Sequence, residues 1–163
     1  MNEWLPALIL LNDHNGSWGP YIEEVYRHFY RDFVQSLPLF RGQRMGLKRH
    51  PIEKDKEATF WHLTSEGKIE AERLHDLRRC ERICWPRPMI EHEIARKLPV
   101  WNQSRSGEHR IAIAVEDFSY ILVLATRKTS NGLMYLPWTA FCVEHEHQRR
   151  KYRRQWETDP LKG

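Results

Sequence analysis

A chain of 163 residues with 40% hydrophobic and 12% aromatic residues can bury a sizeable core, which excludes a disordered polymer. A formal charge of +4 permits an anionic partner without requiring one, and three cysteines exclude a small disulfide scaffold. The odd cysteine count suits a reducing setting, and residues 4–11 are too short to span a bilayer and lack the flanks of a signal peptide. A cytoplasmic protein without a membrane partner is expected.

The charge is uneven. Residues 1–35 carry five acids against two arginines, a net of −3, so the remainder carries +7. No glycine loop for phosphates, nucleophile elbow or dinucleotide fingerprint occurs, which sets aside kinase, serine-hydrolase and dehydrogenase chemistry.

In chain order, residues 4–11 (WLPALILL) read as a buried strand or apolar leader, ended by the turn formers of 12–17. Ile22, Val25, Tyr26, Phe29 and Phe33 recur at helical spacing, so an amphipathic helix runs from about Pro20 to Ser36. Residues 40–49 and 58–63 look like two short strands joined by the charged loop 53–57. Residues 64–67 form a turn, and the polar run to Arg82 is helical in part. Trp85-Pro86-Arg87-Pro88 reads as an edge strand or extended connector, because proline does not fit a helix interior. A brief helix over 91–98 and a loop over 102–108 follow. Residues 110–116, 120–127 and 133–143 are β-rich, separated by Asp117-Phe118-Ser119 and by Thr129-Ser130-Asn131-Gly132, and predict an antiparallel meander. A basic helix over 145–156 closes the chain. The expected class is α+β in one domain, with N-terminal helices packed on one face of an antiparallel sheet of four or more strands.

Basic side chains concentrate in 40–62, where Lys48, Arg49 and His50 precede His62. Strand alternation would turn Lys48 and His50 the same way, with His62 beside them from the next strand. Imidazoles and cations together suit acid/base chemistry on a phosphate ester. The plain alternative is a solvated basic strand with one buried histidine. Thr139, next to Trp138, is either a core hydroxyl bonded to backbone or a phosphate donor. Arg78, Arg79, Arg82 and Arg87 surround Cys80, Cys84 and Trp85, a cation–indole mixture that clamps phosphates and stacks bases or simply covers apolar surface. Arg149, Arg150, Lys151, Arg153 and Arg154 crowd the last helix and suit a nucleic acid or an acidic protein partner. Neither Cys80/Cys84 nor His145/His147 has the spacing of a zinc site, so no metal and no cofactor are expected.

A meander ending in Trp138-Thr139-Ala140-Phe141 and followed by an Arg/Lys run resembles the barnase–EndoU–colicin–RelE (BECR) group of nuclease toxins. Lys48 to Pro51, Phe60-Trp61-His62-Leu63 and Ile83-Cys84-Trp85-Pro86 resemble its phage- and prophage-borne members. The likeness covers roughly 40–156, leaving 1–38 as an accessory strand and helix. It implies a metal-independent ribonuclease whose four-stranded sheet carries RNA across an open face. The ribose 2′-hydroxyl would attack phosphorus and leave a 2′,3′-cyclic phosphate. By that resemblance His62 is the general base or acid, with Lys48 or His50 its complement. Arg49 and Arg87 stabilise the phosphorane, and Thr139 holds a phosphate oxygen. Arg78, Arg79, Arg87, Trp138, Arg149, Arg150 and Arg153 bind substrate, which is tRNA or mRNA, and an inhibitor protein is a possible second partner. Rival expectations are a non-catalytic nucleic-acid-binding module and a phage adaptor that docks an acidic protein.

Overall fold

The computed structural model describes residues 2–67, 74–104 and 107–160. Residues 2–10 run irregularly into a short 3-10 turn at Leu11–His14, so the strand expected over 4–11 does not form. Instead this segment is pinned across other elements: Ile9 N donates to Glu81 O, and Tyr21 Oη and Trp85 Nε1 donate to Ile9 O and Pro6 O. Helix α1 spans Trp18–Phe33 and buries Val25, Phe29 and Phe33 of the predicted stripe; Ile22 and Tyr26 are half-buried, and Tyr21, outside that stripe, is buried as well.

The next stretch departs most from expectation. Strands β1 (Leu39–Phe40) and β2 (Gln43–Arg44) make only a two-residue hairpin around Arg41-Gly42, and residues 45–57 are irregular. Residues Ala58–Thr64 form helix α2, every residue of it buried, rather than a strand. A short run buried on all sides has no exposed face to mark its period, and here tertiary packing decides. Lys48 and Arg49 still meet this element, but at its start. Their carbonyls accept the free N–H groups of Thr59 and Ala58, at 2.9 and 3.0 Å, where no side chain caps the helix. The Thr59 hydroxyl exchanges hydrogen bonds with Lys48 N and Lys48 O as well. The Glu57 carboxylate is held by the Tyr26 hydroxyl at 2.9 and 3.0 Å, and Lys56 pairs with Glu23, which binds this loop to α1.

Strands β3 (Ser65–Glu66) and β4 (Leu74–His75) pair antiparallel where a turn was expected. Helix α3 is Leu77–Glu81; residues 68–73 of the polar run in which helix was expected lie outside the described residues. Asp76 caps α3 through the amides of Arg78 and Arg79. Helix α4 (Pro86–His92) corrects the extended reading of 85–88. Pro86 and Pro88 fall in its first turn, where a missing N–H leaves no bond unmade. The helix expected over 91–98 thus lies earlier, with its end at His92 followed by turns.

Strands β5 (Val100–Asn102), β6 (Arg110–Ala114), β7 (Tyr120–Thr129) and β8 (Gly132–Cys142) form one four-stranded antiparallel sheet in that order. The meander and the Asn131-Gly132 hairpin are as expected; β5 is the strand that the sequence reading missed. One side of the sheet, with Ile113, Leu122 and Leu124, packs against α1, α2 and α4. The other, with Trp101, Ala112, Ile121 and Val123, is covered in part by Tyr152 and Trp156 of helix α5 (Glu146–Thr158). The α+β class holds: the N-terminal helices pack on one face, as expected, and the C-terminal helix covers part of the other. Continuous apolar runs in β6 and β7 are what a doubly covered strand requires.

His75 sits between Trp61 and Trp18, with ring centroids 4.7 and 5.2 Å away. Burial, with Lys54 and then Lys56 nearby, holds its imidazole below the ordinary value of 6.5 despite the Thr64 backbone, which raises it. A lowered folded value means that stability is complete above the unfolded value and declines as pH falls through the folded one. The urea midpoint is expected to drop below about pH 6.5, and His75→Gln should flatten that decline. An unchanged slope in the variant would assign the acid sensitivity elsewhere.

Candidate nucleic-acid interface

The free edge of β8 builds the site. Met45 bridges Tyr135 in parallel, and Gly46 N donates to Tyr135 O at 2.7 Å. A Cβ at Gly46 would lie 2.6 Å from Met134 Sδ, so a larger residue there would have to displace the Met134 side chain. The same strand carries a bulge: Leu124 faces Pro137 and Val123 faces Thr139, which leaves Trp138 as the extra residue. A bulge re-aims a side chain, and Pro137 tolerates the interrupted ladder on an edge strand.

Cations gather on the re-aimed indole. Arg110 Cζ, Lys48 Nζ and Arg127 Cζ lie 4.4, 5.4 and 5.8 Å from the Trp138 ring centroid. The His62 ring lies 5.1 Å away at a 57° tilt. Each cation–ring contact is worth about 0.5–2 kcal/mol, depending on how dry it is. Three like charges on one ring repel, and an anion placed among them relieves that repulsion. Glu108, on the exposed loop before β6, already pairs with Arg110, and its carboxyl is held below the usual carboxylate range by Arg110 and then Arg127.

Thr139 lies beside this cluster. Its hydroxyl is 3.4 Å from both His62 O and Arg79 Nη1, donating to the first and accepting from the second. Arg79 also donates to Ser65 O at 2.9 Å and pairs with Asp76 at 3.4 Å, with only 12% of its side chain exposed. It is a tie between α3, β3 and β8.

The expected residues therefore separate into groups. Lys48, His62, Trp138 and Thr139 come together, although His62 arrives from a helix and not from a neighbouring strand. Arg49 and His50 are exposed on the segment before α2. Arg78 pairs with Glu144 at 2.7 Å. Arg87 donates to Asp32 O, Ser36 O and Ser36 Oγ and pairs with Glu91, so it closes the end of α1. On α5, Arg149 donates to Val143 O, Arg153 lies 4.8 Å over Phe118, and Arg150, Lys151 and Arg154 are exposed. Arg110 and Arg127 were missed. Arg110 pairs with Ala125, and Arg127 is two residues further on, so alternation puts both on one sheet face. That signal was present in the hairpin once its register was known.

Cys80 and Cys84 are buried, and burial pushes the Cys80 thiol up to about 12, which suits packing residues rather than ligands. Among the described residues no group of three His, Cys, Asp or Glu side chains is arranged to hold a metal, and no helix is long and apolar enough to cross a membrane. Comparison with protein-family models, with curated proteins and with solved structures finds no match to this chain, so the nuclease resemblance rests on the residues quoted for it.

Proposed function

We propose that the chain is a metal-independent endoribonuclease of the toxin type carried by phages and prophages, acting on cytoplasmic RNA at the Trp138 cluster. The observation that carries this reading is the convergence of Lys48, Arg110, Arg127 and His62 on one indole beside the Thr139 hydroxyl. Cations there offset the charge that a phosphorane gains, and a base stacks on the indole or on a guanidinium plane. His62 takes the proton of the ribose 2′-hydroxyl or returns one to the departing 5′-oxygen, with Lys48 or the exposed His50 as its complement. Attack of the 2′-oxygen on phosphorus breaks the P–O5′ bond and leaves a 2′,3′-cyclic phosphate. In this reading Arg110 and Arg127 take the phosphorane-stabilising role expected of Arg49 and Arg87. An acidic inhibitor protein would compete for the same cations and for Arg150, Lys151 and Arg154 on α5.

A second reading, RNA binding without chemistry, is favoured by one fact: His62 is only 9% exposed. Purified protein incubated in excess EDTA with total RNA and a defined tRNA separates the two. Cleavage with cyclic-phosphate ends is expected; binding without cleavage by folded, inhibitor-free protein would leave the second reading. In either case Trp138→Ala should weaken RNA binding on the order of tenfold. Arg110→Gln should reduce the salt slope of binding by about one. An unaltered affinity and slope would place the RNA elsewhere.

A further inference from the structure

Between the β1–β2 turn, the end of α4, β5 and α5 lies a cavity of about 780 Å3, lined by Arg41, Glu93, Ile94, Leu98, Val100 and Trp156. It shares no residue with the Trp138 cluster. Its size, apolar walls and few convergent polar groups are those of a small-molecule site.

Two turns set the polar corner. Arg41 and Lys97, both bordering the cavity, have φ of 51° and 54°, a left-handed conformation that residues with a Cβ resist and that glycine or asparagine normally fills. The turns require this: Arg41 and Gly42 (φ 80°) form the two-residue β1–β2 turn, and Lys97 lies in the turn where Leu98 N donates to Glu93 O, so both cations are fixed at the cavity rim. The Glu93 carboxylate, in a residue only 4% exposed, accepts Arg41 Nε at 2.7 Å. The Arg41 guanidinium also lies 5.2 Å over the Phe40 ring. Among the described residues its terminal nitrogens make no hydrogen bond, so the fork that matches a carboxylate is open while Glu93 and Phe40 hold its stem. Arg41 and Lys97 against Glu93 leave one net positive charge. Ile94, 69% exposed, offers apolar surface next to it.

We propose that this cavity binds a monocarboxylic acid with an aliphatic or aryl body. The carboxylate sits on the terminal nitrogens of Arg41 with Lys97 close by, and the body lies against Ile94, Leu98, Val100 and Trp156. The site is independent of the ribonuclease reading.

Calorimetric titration of the full chain with decanoate, decan-1-ol and decylammonium tests this. Decanoate is expected to bind saturably at one site, with the alcohol and the amine at least about tenfold weaker. Arg41→Gln should cost decanoate about tenfold in affinity, and so should Ile94→Asp, which puts a charge on an exposed wall without touching the core. No saturable decanoate binding below about 1 mM would overturn the proposal, as would equal binding of the alcohol or preference for the amine. Because Arg41→Gln leaves Glu93 buried without its partner and can unfold the turn, the comparison of the three ligands on the unaltered protein decides by itself.

Discussion

His62→Gln is expected to lower the rate of RNA cleavage by about a hundred- to ten-thousand-fold, the span that a positioned general acid or base contributes. The fold should survive. Thr139 bonds the backbone carbonyl of residue 62, which the substitution leaves in place, and glutamine keeps most of the volume against Trp138. Affinity for an RNA whose 2′-hydroxyl is methylated should stay close to that of the unaltered protein, because the phosphate-holding cations remain. Single-turnover rates in EDTA, beside thermal unfolding of both proteins, make the measurement. A variant that folds and cleaves at the original rate would remove His62 from the chemistry.

Phe60→Ala is expected to destabilise the protein by about 3–5 kcal/mol, the usual result of deleting a fully buried aromatic ring. Phe60 is 0% exposed and stands at the junction of α1 and α2, with ring centroids 5.1 Å from Tyr26, 5.3 Å from Phe29 and 5.8 Å from Trp61. The unfolding temperature should fall on the order of 10 °C for a chain of this size. RNA cleavage should fall with it below the unfolding transition, since α2 carries His62 and its first turn fixes Lys48. A loss under about 1 kcal/mol would mean that the 58–64 segment repacks readily and does not hold the site rigidly.

These two residues also mark where sequence reading stops. The amphipathic stripe of α1, the meander of β6, β7 and β8, the Asn131-Gly132 turn and the basic last helix were all legible, because each writes its own period or turn chemistry locally. Residues 58–64 were not, since a segment buried on every side has no polar face to report its period. Prolines at 86 and 88 were read as breakers, whereas position within a helix decides whether they break it. β5 was missed because three residues leave too short a pattern.

The site divides the same way. Lys48, His62, Trp138 and Thr139 stood out by residue type and local company. What tertiary structure alone decided is that a one-residue bulge at Trp138 swings the indole toward Arg110 and Arg127, and that the Gly46 N to Tyr135 O hydrogen bond closes the Lys48 segment on the β8 edge. Arg87, equally prominent in the sequence, was drawn instead to the carbonyls that end α1. The sequence by itself determined the α+β class, the strand order of the meander and the presence of a cationic surface, because these follow from local periodicity and charge. Which cations share a partner was left to register and bulge, which depend on contacts between residues up to about ninety positions apart, as between Lys48 and Trp138.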